Sequence, residues 1–328
     1  MNIARRGTMA ALLSIGMLVQ GCATTRQEAA AEPPVAAPLA IYGATMTVEI
    51  APVLLAVRDR YPGAAVQLGG VPNLIGTERV ADVATNAETQ LLRQSTRRPD
   101  LRIIMTIVEG KYRIVARRSA GIASLADLKG KRIATLRATS ADYFLAAMLE
   151  HGGLTASDVT IVNMFPLQNM VPAIEKREID AVAIWEPFSE NVLRALGGDA
   201  VEFSGKGIYR ELFNLNTTAG ALADPVKRRQ IVELMRAIID ANARMNRNPA
   251  EAQALVAGSG GYTLEEVANS WVHHAYTAGF AEDMLDVLVE EEIWLAAEEK
   301  RQPRSREQLA PLIDRSAYEE ARARPGRR

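Results

Sequence analysis

The chain of 328 residues contains a single cysteine. One thiol excludes an internal disulfide, an iron–sulfur cluster and a cysteine-based zinc site. Histidines number three, and aromatic residues make up only 5% of the chain. Net charge is nearly absent, with 38 Lys+Arg against 39 Asp+Glu, so nothing in the overall balance argues for nucleic-acid binding. No GxxxxGK[ST] phosphate loop and no G-x-S-x-G nucleophile elbow occurs, which removes the two commonest signatures of nucleotide and serine-hydrolase chemistry. No uncharged apolar run reaches the roughly 20 residues a membrane-spanning helix needs. What remains is the ordinary composition of a globular protein, with 48% hydrophobic and 23% charged residues. The length suggests two domains or one large one.

The cysteine sits at a telling place. Arg5 and Arg6 precede an apolar run from Met9 to Val19, which ends in Val19-Gln20-Gly21-Cys22. A charged start, a short apolar core and a small-residue cleavage site read as an export signal over residues 1–21. The last four residues match a bacterial lipobox, in which Cys22 is lipidated and becomes the mature N-terminus. Residues 22–38 are dominated by Ala, Pro, Glu and Thr and read as a flexible tether. The expected location is periplasmic, on a membrane. The near-neutral total also conceals a division: residues 1–21 carry +2, residues 301–328 carry +4, and the body between them −7. The basic C-terminal extension reads first as a solvated tail, with packing against the acidic body or contact with anionic lipid as the alternatives.

Along the body, short apolar runs alternate with helical segments. Strands are expected near 39–42, 64–68, 82–84, 101–108, 112–116, 132–136, 159–162 and 179–184, and helices between them. After residue 220 the texture becomes helical, over 225–246, 249–257, 264–278 and 283–299. This pattern predicts α/β layers with mostly parallel sheets. His273 and His274, taken as helical neighbours, would point about 100° apart, so no metal site is expected there.

Three strings carry a family resemblance. They are Ser124-Leu125-Ala126-Asp127-Leu128-Lys129-Gly130-Lys131-Arg132-Ile133-Ala134, then Thr139-Ser140-Ala141-Asp142-Tyr143-Phe144-Leu145, then Asp180-Ala181-Val182-Ala183-Ile184-Trp185-Glu186-Pro187. In order and spacing they resemble the solute-binding proteins of nitrate/taurine/sulfonate-type ABC importers. The resemblance covers about residues 39–300. It implies a bilobed type 2 periplasmic binding protein fold: two α/β lobes joined by two crossing strands and closing on a ligand. Mapped here, the first lobe is 39–115 plus 206–300, and the second is 116–205. The crossings fall near 112–116 and 201–216.

The resemblance and the strand–helix junctions together nominate a site. Thr139 and Ser140 precede a helix whose N-terminal N–H groups and partial positive charge suit an anionic or polar head group; Ser140 can equally be a plain N-cap. Thr45, Thr85 and Asn86 lie where strands end, the usual ligand position in open α/β sheets. Trp185 can stack on a flat ligand or fill a core. Glu186 can accept from an amine or hydroxyl or remain at the surface. Glu49, together with Glu88 and Glu186, departs from the nitrate and taurine pattern. Two or more carboxylates in the cleft would require a ligand with a cationic or hydroxyl-rich part; the alternative is that all three are solvated or paired with nearby arginines.

The implied function is capture of a small polar solute for an inner-membrane permease, by a monomer, without turnover, cofactor, metal or nucleic acid. Two alternatives share the architecture: an enzyme like the menaquinone-pathway or thiamine-pyrimidine synthases, and a periplasmic ligand sensor.

Overall fold

The computed structural model describes residues 39–61, 63–76 and 81–323. The export signal, Cys22 and the tether lie outside them. Through the first half of the chain run β1 (Ile41–Gly43), α1 (Ala51–Arg60), β2 (Gln67–Leu68), β3 (Val83–Ala87), α2 (Glu88–Ser95), β4 (Leu101–Gly110), β5 (Arg113–Arg117), β6 (Arg132–Thr135) and α3 (Ser140–His151). There follow β7 (Thr160–Asn163), α4 (Met170–Glu175), β8 (Ala181–Ile184), α5 (Phe188–Leu196), β9 (Ala200–Ser204) and β10 (Glu211–Thr218). The remainder holds α6 (Ala219–Ala223), α7 (Pro225–Met245), α8 (Ala250–Gly260), α9 (Leu264–Trp271), β11 (His274–Gly279), α10 (Met284–Glu298), α11 (Arg306–Leu309) and α12 (Ser316–Arg322).

The strands form two sheets, in the orders β11-β4-β10-β3-β1-β2 and β7-β6-β8-β5-β9. Both are mixed, where mostly parallel sheets were expected. β1 pairs parallel with β2 and β3, and β6 with β7 and β8. β10 and β11 run antiparallel to β4, and β5 runs antiparallel to β8 and β9. The reason is topological. Strands that carry the chain from one sheet to the other enter their new sheet from the opposite end. The chain passes between the sheets at Lys111 and Tyr112, after β4, and again over 205–210, between β9 and β10.

Each sheet has its own apolar packing. The interior strand β4 is buried over most of its length, with Ile103, Ile104, Met105, Ile107 and Val108 inaccessible, and accordingly reads as a continuous apolar run rather than an alternating one. Helix α7 begins with Asp224 accepting from the N–H groups of Val226 and Lys227, and with Pro225 in its first turn. Its buried face, Ile231, Leu234, Met235, Ile238, Ala241 and Met245, follows the three-and-four spacing of an amphipathic helix. In the second sheet, Ile114, Ile133, Phe144, Leu145, Met148, Val182 and Ile184 form the corresponding core.

Two sequence expectations fail here. The helix expected over 264–278 stops at Trp271, and β11 follows. Over Tyr276, Thr277 and Ala278 burial alternates in, out, in, which is the period of a strand. The free edge of β4 provides the ladder, and the N–H of Lys111 donates to the carbonyl of His273 at 2.8 Å. Residues 301–323 are not a solvated tail either. Leu309 and Leu312 pack with Leu91, Leu92, Ile103, Leu288 and Leu295, and Ala317 and Ala321 pack with the α7 side of the core. Arg301 and Arg304 both bind Glu292. The sequence signal was present but weak: three Leu/Ile residues among five arginines over 301–323, each apolar group too short to show a period.

Candidate functional site

A cavity of about 570 Å³ opens between the two sheets. Its walls are the segments that follow the carboxyl ends of the parallel strands. Ala44, Thr47 and Glu49 follow β1; Gly69, Gly70 and Asn73 follow β2; Asn86 and Gln90 lie at the β3–α2 junction. From the other sheet come Leu136, Thr139 and Ser140 after β6, Phe165 after β7 and Trp185 after β8. Glu211 and Phe213 of β10 complete the lining. This is the position at which open α/β sheets bind ligands.

Backbone approach shapes one wall. A Cβ at Gly69 would stand 2.2 Å from Asn73 Oδ1, and one at Gly70 would stand 2.1 Å from Asn86 Oδ1. The Asn86 oxygen is held there by the N–H of Val71 at 2.7 Å. A side chain at either position would have to displace these amides.

Of the residues nominated from sequence, Glu49, Asn86, Thr139, Ser140 and Trp185 line the cavity. Thr139 also caps α3, accepting from the N–H of Ala141, while its hydroxyl donates to Leu136 O at 2.7 Å. Ser140 Oγ lies 3.1 Å from the Tyr112 hydroxyl. Thr45, Thr85 and Glu186 do not line the cavity. Thr45 turns away, its carbonyl accepting from Ser259, and Ala44 and Thr47 take its place. Thr85 precedes Asn86 on β3, and successive strand side chains point to opposite faces; it is buried under Gly43. Glu186 turns back beneath the sheet to Arg113, whose Nε donates to it at 2.8 Å. Glu88 is also behind the wall, accepting from the Tyr209 hydroxyl at 2.8 Å and the Leu212 N–H at 2.7 Å.

The largest omissions from the sequence reading are Glu211 and His274. Glu211 opens a strand whose other residues are apolar, amide or threonine, and it lines the cavity together with Glu49. His274 was assigned to a helix; at the start of β11 its Nε2 lies 3.2 Å from Glu49 Oε1. Both partners are almost completely buried. Burial pushes the Glu49 carboxyl up, but the imidazole outweighs it and holds Glu49 below the ordinary carboxylate value. Burial pushes His274 down, and Glu49 outweighs that in turn, raising the imidazole above its ordinary value. Glu211 has no such partner: burial, then Glu49 and Glu88, push it well above the carboxylate range. Behind it Glu291 is driven the same way by burial and by Glu88. The pair Glu49–His274 therefore carries the charge, and Glu211 keeps its proton to higher pH. His273, by contrast, is lowered to about 4 by burial and the nearby Arg113.

The two halves touch on both flanks of the cavity. On one side Gln90 donates to Ala138 O at 2.8 Å, Arg137 pairs with Glu298 at 2.9 Å, and the rings of Tyr143 and Trp294 lie 5.3 Å apart. On the other, Asn269 donates to Glu190 at 3.1 Å and Phe188 meets Tyr262 edge to face. The cleft is thus bridged on both flanks by contacts between the two halves.

Comparison with known proteins places this architecture. The alkanesulfonate-binding protein SsuA of Xanthomonas axonopodis pv. citri, bound to MOPS, superposes with a TM-score of 0.68 at 21% identity, covering 88% of this chain and 100% of that one. The periplasmic nitrate-binding protein NrtA of Synechocystis PCC 6803 gives 0.67 at 13% identity, covering 86% and 87%. The desulfurization enzyme DszB, in a complex with biphenyl-2-sulfinic acid, gives 0.58 at 15% identity, covering 86% and 97%. These likenesses establish the bilobed binding-protein fold, which an enzyme also uses. A Brucella abortus protein provisionally assigned as a binding protein is 38% identical over 88 residues, covering 24% of this chain and 27% of that one. The chain thus matches about a quarter of the length of such curated relatives. The model of the family described as NMT1/THI5 like matches residues 68–252, more than half of the 328 residues, and the chain belongs to that family.

Proposed function

We propose that the protein is an extracytoplasmic solute-binding lipoprotein of an ABC importer. It captures a small polar organic solute, sulfonate-, carboxylate- or zwitterion-like, between its lobes and presents the closed form to an inner-membrane permease. The observation that carries this reading is the cavity itself. About 570 Å³ is enough for a small organic molecule, its walls come from both sheets, and the flanking contacts can open and re-form. The fold neighbours that bind sulfonate and nitrate support it. The DszB likeness keeps an enzyme of the same fold as the second reading, and absence of product from any bound compound separates the two.

The test is a thermal-shift screen of residues 23–328 against sulfonates, carboxylates, amino-acid analogues and pyrimidines, with native mass spectrometry for a co-purified solute. A ligand at 100 times its Kd adds about 2.7 kcal/mol, or roughly 4 °C in a protein of this size. If no compound raises the melting temperature and none co-purifies, the reading falls. Trp185→Ala is expected to weaken the bound compound by about tenfold or more with the fold intact, because the ring lines the cavity; loss of the cooperative transition would make Trp185 a core residue instead. The lipid anchor is part of the same proposal. Cys22→Ser is expected to move the protein from the membrane to the soluble fraction, and a variant still sedimenting with membranes would remove the anchor.

A further inference from the structure

Two carboxyl oxygens in the cavity wall have no partner. Glu49 Oε2 and Glu211 Oε2 are both inaccessible to water and unbonded, on side chains of residues only 1% and 4% exposed. Both residues line the cavity. A buried carboxyl with an unmade hydrogen bond is costly, so the cavity is built for donors. The Trp185 indole N–H is buried in the same wall without an acceptor, and several neighbouring polar groups are already committed. The Gln90 amide donates to Ala138 O, the Thr139 hydroxyl donates to Leu136 O, and the Ser140 hydroxyl is engaged with Tyr112. Among the described residues the lining contains no Lys or Arg.

Charge points the same way. Glu49 and Glu211 stand in front of two more buried carboxyls, Glu88 and Glu291. Against these four, His274 is the imidazole that pairs with Glu49. The nearest buried guanidinium, Arg113, is spent on Glu186, Glu190 and Glu202. An anion in this place would meet the Glu49 carboxylate and drive Glu211 and Glu291 further toward their protonated forms, whereas a cation would let Glu211 ionise and would satisfy both free oxygens. Across the cavity stand Trp185 and Phe165, and Phe165 is 78% exposed. Such rings favour a flat apolar group and tolerate a cation over their faces.

We infer that the cavity takes a planar organic cation, an amidinium- or guanidinium-type group on an apolar body, with its N–H donors on Glu49 and Glu211 and its body against Trp185 and Phe165. This rests on the solute-binding reading and narrows its solutes to those carrying such a cation, zwitterions included.

Three probes with one ring and different charges test it: benzamidine, benzyl alcohol and benzenesulfonate, titrated calorimetrically into the ligand-stripped chain. Benzamidine is expected to bind at least tenfold more tightly than benzyl alcohol, and benzenesulfonate not at all. Glu49→Gln and Glu211→Gln are each expected to weaken benzamidine about tenfold or more. Glu211→Gln removes a carboxyl that lacks an ion-pair partner, so its fold is retained even where Glu49→Gln, which strands His274, loses stability. The inference is overturned if benzamidine does not bind, if benzenesulfonate or benzyl alcohol binds as tightly, or if Glu211→Gln leaves benzamidine binding unchanged. A co-purified solute without a cationic nitrogen would also overturn it while leaving the solute-binding reading standing; failure of the wider screen is what sinks that reading.

Discussion

A chain ending at Lys300 is expected to lose cooperative folding. The removed segment contributes Leu309 and Leu312, which are 0% and 3% exposed, and the small residues Ala317 and Ala321 against α7. Burying a leucine contributes about 1.5–3 kcal/mol, and truncation also uncovers part of Leu91, Leu92 and Ile103 beneath. Together these exceed roughly 5 kcal/mol, comparable to the whole stability of an ordinary domain, about 5–15 kcal/mol. The ion pairs of the segment add less. Glu292 is held down at about 2, because the hydrogen bonds of Arg304 and Arg301 outweigh burial; once those arginines are gone, water reaches the carboxylate and replaces them. Urea unfolding followed by circular dichroism decides it. A truncated chain with an unchanged midpoint and slope would mean that residues 301–323 contribute nothing to the folded state.

Arg113→Met is the second large effect, at about 3–5 kcal/mol, the usual cost of removing one partner from a buried ion cluster. The guanidinium bonds Glu186 at 2.8 Å and Glu190 at 2.9 Å, and both residues are at most 5% exposed. Glu190 also receives Asn269 from the opposite half, so the cluster supports one flank of the closed cleft. The pH dependence has a definite sign. Burial already raises the Glu186 carboxyl even with Arg113 beside it, and removing the arginine raises it further. A carboxyl raised in the folded state stabilises the protein below its unfolded value near 4.5 and loses that contribution as pH rises through the folded value. The deficit of Arg113→Met is therefore expected to be largest near pH 8 and to shrink toward pH 5. Adding Glu186→Gln to the variant should recover part of it. A deficit that grows on acidification, or one below about 1 kcal/mol, would show that the cluster is not what holds these carboxyls.

The sheets were legible where burial is continuous. Strand β4, with its run Leu101 to Val108, and the segment Ala181–Ile184 are apolar on both faces because both faces are covered, and such runs stand out in any sequence. Loops at strand ends were legible in part. Asn86 lies at the end of β3, Thr139 and Trp185 follow strands, all three carry polar or aromatic groups, and the cavity gathers them. The errors share one cause. Thr45, Thr85 and Glu186 are adjacent in sequence to residues that line the wall, and which of two neighbours points inward depends on strand phase and on distant partners such as Arg113. His274 lay inside a segment whose apolar spacing suited a helix, and only the unpaired edge of β4 turned it into a strand.

The amino-acid sequence by itself determined the layers: the alternation of strands and helices, the strand-end positions where polar residues gather, and the unusual number of carboxylates among them. These are properties of neighbours in the chain, set by local periodicity and turn chemistry. Which carboxylates matter was decided only by tertiary structure. Glu186 is neutralised by an arginine 73 residues away, and Glu49 is paired with a histidine far along the chain. Glu211 is left in the wall with no counter-charge, because ion pairing and desolvation act through space at a few ångströms and leave no trace in sequence spacing.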